Sequence, residues 1–199
     1  MSFVHAENKV REEYEAIVRD GDAVSEFPLY LPYDIQVPTD NDGEVFYNHL
    51  YANDRGEAIF KLNTWETAVL NEENANPEFV CWLRNPDRKR WALSIPYKMD
   101  NEDKPMYPDF IIVRNTAAHG MVVDVLEPHR ANLEDNLPKA KGLAEYAARE
   151  QRIGRIQLIR VTDGIGGSKH IHRLDLTDSF IRDKVLHCNT KEELDNLFS

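Results

Sequence analysis

The chain has 199 residues, 42% of them hydrophobic and 30% charged, with a formal net charge of −11. This composition is ordinary for a globular protein of one domain. No apolar run approaches the roughly 20 residues that cross a bilayer. The polar N-terminus does not resemble a secretory signal. We therefore expect a cytoplasmic protein with no membrane partner.

The acidic balance argues against a free-standing DNA-binding protein, because affinity for phosphates comes largely from lysine and arginine. Any nucleic acid would be delivered by a partner, or bound at a small basic patch on an acidic body. Two distant cysteines, Cys81 and Cys188, have no partner at metal-ligand spacing. They are best interpreted as small buried or half-buried thiols in a reducing compartment.

Residues 1–44 form a small N-terminal extension. The apolar spacing over 7–20 predicts an amphipathic helix that ends at Gly21. An irregular connector rich in proline and turn residues follows over 22–44. We place the main domain at 45–199.

The main domain begins with a predicted hairpin of strands at 45–51 and 57–61, turning at Gly56. A helix from Trp65 to about Glu73 follows, capped by Asn63 or Thr64. Further along the chain the hydrophobic periodicity predicts strands, helices and a turn. These are strands at 79–83, 91–97, 109–114, 120–126 and 155–161, a helix at 137–150, a turn at 163–168 and a capped helix at 190–198. The fold class is α/β, with a mixed central sheet flanked by helices.

Two carboxylates lie in neighbouring apolar strands. Asp109 opens one strand after Pro108, and Asp124 lies within the next, sharing its face with Val122 and Leu126. An unpaired buried charge is costly to desolvate. Carboxylate oxygens are also the ligands that Mg²⁺ prefers. We therefore expect Asp109 and Asp124 to converge on a divalent cation.

Two lysines open the helix that follows these strands, Lys139 and Lys141. An ammonium group beside the metal would orient water or stabilise a phosphate in the transition state. Because positions i and i+2 face about 200° apart on a helix, only one of the two can reach the site. Lys141 is the slightly favoured choice, since it lies on a flank of the apolar face.

The segment Tyr107-Pro108-Asp109 followed by Asp124 resembles the PD-(D/E)xK nuclease pattern. More closely, four segments resemble the C-terminal nuclease-like region of type III restriction subunits and related superfamily II (DEAD/DEAH-type) helicases. The segments lie at 61–66, 82–85, 95–97 and 107–110. The resemblance covers about 45–198. It implies a restriction-endonuclease-like core of helix, three strands, helix and strand.

The same resemblance implies Mg²⁺-dependent cleavage of DNA, with Mn²⁺ as a possible substitute. The family's first-helix glutamate falls on Glu66, as a further metal ligand. The resemblance also implies a nuclease subunit or module of a prokaryotic restriction or phage-defence system that works with a helicase or translocase. Paired cuts in duplex DNA would favour a homodimer.

One position departs from the family pattern. The family has lysine two residues after the second acid, and Leu126 stands there in this chain. A lysine from the following helix, Lys139 or Lys141, would replace it. Glu127 and His129 follow the strand directly and could supply a further ligand or a base. The alternative is a catalytically degenerate nuclease-fold module that serves DNA binding or complex assembly.

Overall fold

The computed structural model describes residues 2–6, 11–12, 31–37, 42–131, 133–150 and 154–198. Of the helix predicted over 7–20, Arg11 and Glu12 are helical and the other residues lie outside the described ranges. Most of the predicted connector lies outside them too. No helix among the described residues is long and apolar enough to cross a membrane.

The described residues contain strands and helices in the following order along the chain. They are β1 (Ser2–Ala6), β2 (Asp34–Val37), β3 (Glu44–Tyr47), β4 (Tyr51–Ala52), β5 (Glu57–Phe60), α1 (Thr64–Asn74), β6 (Phe79–Arg84), β7 (Ile95–Met99), β8 (Glu102–Met106), β9 (Phe110–Thr116), β10 (Gly120–Pro128), α2 (Asn136–Arg149), β11 (Ile156–Asp163), β12 (Lys169–Asp175), α3 (Ser179–His187) and α4 (Lys191–Asn196). A single 3₁₀ turn, Ile165–Gly167, joins β11 to β12.

A five-stranded sheet in the order β12-β11-β10-β9-β6 forms the centre of the fold. Strands β10 and β11 are parallel, and the other pairs are antiparallel. The parallel pair needs a crossover connection, which the helix α2 supplies. The predicted mixed α/β architecture is confirmed.

The central sheet is buried on both faces. Along β10, Val123 and Val125 belong to the larger apolar core, together with Leu143 of α2. Leu126 points to a second core, which contains Val69 of α1 and the fully buried Trp82. The alternation of side chains along β10 therefore matches the predicted pleat.

The strand predicted at 91–97 is wrong in its bounds. The structure places β7 at Ile95–Met99, paired with β8 in a hairpin separate from the central sheet. The turn has positive φ at Asp100 and Asn101, 57° and 62°. These residue types tolerate that conformation, so the sequence did carry a turn signal. The hairpin packs on α2, where Gly142 allows a close approach to Tyr97.

The pairing and the turn of the first hairpin are confirmed, with β3 and β5 paired and Gly56 at a φ of 75°. The strand predicted at 45–51 is divided, because β3 ends at Tyr47 and Tyr51 belongs to β4. Strand β1 pairs with both β2 and β4. The Tyr51 hydroxyl also donates to the Pro32 carbonyl at 2.7 Å. Chain segments on either side of the boundary proposed at 44/45 are therefore hydrogen-bonded to each other.

Helix ends follow the predicted capping in two places. The Asn63 side chain accepts from the N–H groups of Trp65 and Glu66, and Glu66 completes a capping box. The Thr190 hydroxyl accepts from the Glu193 N–H and begins α4. The sequence analysis did not predict α3, which Asp178 caps.

Candidate functional site

Asp124 is completely buried, and arginines satisfy both of its oxygens. Arg114 donates from Nε to Oδ2 at 2.5 Å and from Nη2 to Oδ1 at 3.0 Å. Arg155 donates from Nε and Nη2 to Oδ2 and from its backbone N–H to Oδ1 at 2.7 Å. Such paired, forked contacts are the strong form of charged hydrogen bond. Asp124 is thus the centre of an ion-pair network.

This network links α1 to the central sheet. Arg155 also contacts Glu73 of α1 at 2.6 Å, and Arg114 contacts Glu78 at 2.6 Å. Hydrogen bonding to Asp124 raises the pKa of Arg114. For Arg155, burial lowers the pKa, but Asp124 and Glu73 more than offset it and the pKa rises. Pairing with Arg114 and Arg155 therefore accounts for the presence of Asp124 in an apolar strand.

The expectation that Asp109 and Asp124 converge is wrong. In the register of β9 with β10, Asp124 lies opposite Ile112 and Leu126 lies opposite Phe110. Asp124 is therefore three strand positions away from the level of Asp109, roughly 10 Å along the sheet. Asp109 itself lies just before the first residue of β9, and its carboxylate pairs with Arg84, whereas Asp124 pairs with Arg114 and Arg155.

The acid that lies beside Asp109 is Glu127. Continuing the register by one position puts Glu127 opposite Asp109, at the end of β10. The Asp109 backbone N–H donates to Glu127 Oε2 at 3.1 Å. Glu127 is 8% exposed. The sequence analysis named Glu127 as an additional ligand, and the structure makes it the partner of Asp109.

Arg84, at the end of β6, joins Asp109 to α1. Its guanidinium contacts Glu66 Oε1 at 2.9 Å and Asp109 Oδ1 at 2.9 Å. Glu66 is 7% exposed, and its Oε2 accepts from the Asn63 N–H at 2.8 Å. Glu66 is therefore brought close to Asp109, with an arginine between the two carboxylates.

Of the two candidate lysines, Lys139 lies at this group of acids. It lines the same clefts as Asp109 and Glu127, and it pairs with Asp135 at 2.8 Å. Burial lowers the pKa of Lys139, but the Asp135 carboxylate more than offsets this and the pKa rises. Lys141 lines neither cleft and lies near Cys188. The slight preference for Lys141 finds no support in this geometry.

The carboxyl groups of Asp109 and Glu127 both have raised pKa values. Burial raises the pKa of Asp109 to about 6, against the opposing effect of Arg84. Burial, and then the negative charge of Asp109, raise the pKa of Glu127 to about 8. Burial therefore outweighs the nearby positive charge at both groups, although Arg84 partly compensates Asp109. Groups of this kind in clefts are candidates for a functional site.

His129 and Asn136 contribute unsatisfied polar atoms to the same end of the sheet. His129 lies two residues after Glu127, and its Nδ1 is 3.1 Å from the Ile159 carbonyl. Burial lowers the pKa of His129 to about 4, so the ring is neutral at neutral pH. His129 Nε2 and Asn136 Oδ1 are buried and have no hydrogen-bond partner among the described residues. Such atoms are costly to leave unpaired and indicate a place for water or a ligand.

Two clefts meet at this group. One, of about 210 Å³, is lined by Trp65, His129 and Arg130. The other, of about 490 Å³, is lined by Arg88, Tyr97 and Lys104. Asp109, Glu127 and Lys139 line both clefts. We call these three residues the carboxylate–lysine group.

The carboxylate–lysine group supplies hard oxygen donors of the type that Mg²⁺ prefers. Among the described residues, no three His, Cys, Asp or Glu side chains are arranged as a preformed metal site. Mg²⁺ is usually held by only one or two carboxylates, with water and substrate phosphates completing its shell. Asp109 and Glu127 fit that requirement, with Glu66 turned toward Arg84.

Residues 47–199 match the YagJ family of proteins. The chain belongs to the YagJ family. It is 33% identical over 159 residues to Protein YagJ of Escherichia coli strain K12. The match covers 79% of this chain and 62% of that relative. No solved structure matches the chain.

Sequence reasoning missed Arg84, Arg114 and Arg155 as partners of the candidate acids. A signal for Glu127 was present in the hairpin, because a turn between Thr116 and Gly120 fixes the pairing along both strands. No comparable signal existed for the arginines. Arg155 reaches Asp124 from 31 residues away.

Proposed function

We propose that the chain is a module for divalent-metal-dependent hydrolysis of phosphodiester bonds in DNA. The observation that carries the proposal is the carboxylate–lysine group. Asp109 and Glu127 lie side by side where two clefts meet, and Lys139 lines the same clefts. Two under-compensated acids beside an ammonium group are suited to a cation and a phosphate.

Asp109 and Glu127 would hold the ion. A bound Mg²⁺ would provide positive charge for the phosphate and lower the pKa of a bound water. Arg84 fixes the Asp109 carboxylate by a contact to Oδ1 at 2.9 Å, and Glu66 fixes Arg84 in turn. Such supporting contacts set the orientation of acids that bind a metal. The Lys139 ammonium would bind a non-bridging phosphate oxygen.

The resemblance to PD-(D/E)xK nucleases is compatible with this site when Glu127, instead of Asp124, is taken as the second acid of the pattern. With Asp109 as the first acid and Glu127 as the second, the position two residues further is His129 rather than Leu126. A neutral imidazole stands where that family has lysine, and Lys139 from the following helix supplies the ammonium. His129 Nε2 has a free lone pair that could accept a proton or a hydrogen bond from water.

The proposal is tested by incubating the purified chain with plasmid and linear DNA in Mg²⁺ or Mn²⁺. We expect cleavage by the wild type and by Glu145→Gln, a change at an exposed site on α2. We expect no cleavage by Asp109→Asn or Glu127→Gln, and a large loss with Lys139→Ala. Absence of cleavage by the wild type, alone and with a helicase partner, would reject the proposal that the chain is a nuclease.

A second candidate is a catalytically degenerate module for DNA binding or assembly. Arg84 favours it, because its guanidinium already lies between Glu66 and Asp109 and supplies positive charge there. Calorimetry with MgCl₂ separates the two candidates. Mg²⁺ binding that Glu127→Gln abolishes supports the nuclease. A wild type that binds DNA but no Mg²⁺ supports the degenerate module.

The resemblance to type III restriction subunits also suggests partners. We propose a cytoplasmic defence role in which a superfamily II helicase or translocase delivers DNA, and a homodimer for paired cuts. The chain spans 62% of the length of its relative in Escherichia coli. Co-purification of the full-length protein with a helicase, and light scattering of the chain, test these two points.

A further inference from the structure

The segment that follows β6 carries unpaired positive charge. Residues 85–91 contain three cations, Arg88, Lys89 and Arg90, and one acid, Asp87. Arg88, Lys89 and Arg90 are exposed, and none of them forms an ion pair with a residue that the structure describes. We call residues 87–90 the basic loop.

Three adjacent cations without an ion-pair partner stand out in a chain with 35 acidic and 24 basic residues. Several other surface cations are paired with acids. Arg55 pairs with Glu57, and Lys61 pairs with Asp42 at 2.8 Å although both side chains are largely exposed. Lys169 pairs with Asp163. The basic loop therefore creates a local positive patch on an acidic surface, where its field is focused.

The basic loop lies next to the carboxylate–lysine group. Arg88 lines the larger cleft together with Asp109, Glu127 and Lys139. Lys89 lines a neighbouring cleft that also contains Arg84. The cations of the basic loop thus lie next to Arg84 and add to the positive charge beside the carboxylate–lysine group.

Hydrogen bonds hold the basic loop at a fixed place. The Asn85 backbone N–H donates to the Asp109 carbonyl at 3.1 Å. The Asn85 side chain exchanges two hydrogen bonds of 2.9 Å with the Leu93 backbone, which closes the loop at its base. The position of the cations is therefore set relative to Asp109.

Arg88 adopts a φ of 58°. This left-handed conformation is disfavoured for residues with a Cβ, and glycine, asparagine or aspartate adopt it more readily. The Arg88 side chain offsets none of that cost through contact with an acid. The strained backbone conformation therefore favours a functional role of the Arg88 guanidinium over a role in stabilising the fold.

We propose that the basic loop binds the phosphodiester backbone of a nucleic acid and holds it across the carboxylate–lysine group. The proposal rests on the proposed function for what happens at Asp109 and Glu127. Guanidinium and ammonium groups match phosphate oxygens in geometry and charge. A polyanion approaching two acids needs such compensation, because the acids alone would repel it.

The test measures binding of fluorescently labelled single-stranded and duplex DNA to the full chain in EDTA, by polarisation. A loop variant carries Arg88→Ala, Lys89→Ala and Arg90→Ala. A control variant carries Arg149→Ala, Lys184→Ala and Lys191→Ala, on the helices α2, α3 and α4, and removes the same positive charge. We expect the loop variant to bind at least about tenfold more weakly. The slope of log K against log salt should become shallower by about 2 for single-stranded DNA and by about 3 for duplex DNA.

The control variant should bind within about twofold of the wild type. Equal losses in both variants, or no DNA binding by the wild type at low salt, would overturn the proposal. Displacement of DNA by polyglutamate at equal charge would also overturn it. Because EDTA removes metal, binding is measured independently of cleavage. A chain that binds through the loop yet never cuts would reject only the proposed catalysis.

Arg88→Gly separates folding from binding. Glycine relieves the positive φ, so the melting temperature should equal or exceed that of the wild type. DNA binding should still weaken by about threefold to tenfold, because one phosphate contact is lost. A variant that binds DNA as well as the wild type would contradict the role of Arg88.

Discussion

Asp124 receives arginine hydrogen bonds on both carboxylate oxygens, whereas Asp109 lies beside Glu127 and forms an ion pair with Arg84. A buried acid that is fully paired stabilises its neighbours, and its loss leaves their charges uncompensated. An acid held next to another acid destabilises the fold until a cation binds. The two residues therefore have different consequences when they are replaced.

Asp124→Asn should destabilise the chain by about 3–5 kcal/mol, since Arg114 and Arg155 would lose their shared buried charge partner and keep only Glu78 and Glu73. Asp109→Asn should change the free energy of unfolding by less than about 1 kcal/mol, because it also relieves repulsion with Glu127. Urea denaturation in EDTA measures both values. Equal destabilisation by the two variants would contradict this assignment of roles.

Glu127 also predicts a pH dependence of stability. Its pKa is raised from 4.5 to about 8, so the folded chain keeps a proton that the unfolded chain releases between these values. The unfolding free energy in EDTA should therefore fall as pH rises from 6 to 8, by at most about 1.4 kcal/mol per unit. Glu127→Gln should remove most of this slope. An unchanged slope would show that other groups cause it.

At the scale of elements, two connections position the site. The β9–β10 turn fixes a register that places Glu127 opposite Asp109. The helix α2, which connects the parallel strands β10 and β11, brings Lys139 to the same end of the sheet. The β7–β8 hairpin packs against α2 and completes the larger cleft through Tyr97 and Lys104.

The contact between α2 and β7 depends on Gly142. A Cβ there would lie 2.6 Å from Tyr97 Cβ and 2.9 Å from the Pro96 carbonyl oxygen. Helix propensity alone predicts that Gly142→Ala stabilises by about 1 kcal/mol. We expect the opposite sign, a loss of about 1–3 kcal/mol from overpacking, in urea denaturation. Glu145→Ala, exposed on the same helix, should stay within about 0.5 kcal/mol.

At the scale of the whole molecule, the net charge of −11 coexists with a local excess of cations in the basic loop. Several other cations are held in ion pairs, such as Arg160 with Asp195 and Arg173 with Glu72. The described surface therefore combines general repulsion of polyanions with an attractive patch at the basic loop. Such a distribution favours orientation of a nucleic acid over tight non-specific binding.

The acidic net charge also affects how the binding of Mg²⁺ must be measured. At about 10 mM Mg²⁺ and a Kd of about 1 mM, the wild type should gain about 1.4 kcal/mol in thermal unfolding. Glu127→Gln should gain nothing. Samples need equal ionic strength, because screening alone stabilises an acidic chain. A gain that NaCl reproduces would exclude a specific site.

Much of the fold was readable from local patterns. The caps at Asn63 and Thr190, the Gly56 turn and the burial of β9 and β10 each depend on a few neighbouring residues. The β7–β8 hairpin was not predicted, although its turn residues, Asp100 and Asn101, are of types that tolerate positive φ. The strand β8, Glu102–Met106, is largely polar, so hydrophobic periodicity gives no signal for it.

The sequence by itself determined that acids lie in apolar strands beside a helix with lysines, because residue type and spacing are local properties. Only the tertiary structure decided which acids meet. Strand register places Glu127 beside Asp109, and Arg155 reaches Asp124 across 31 residues. The pairing of a buried charge depends on distant groups, because any nearby opposite charge can compensate it. Asp124 thereby became an ion-pair centre, and Asp109 with Glu127 became the candidate site.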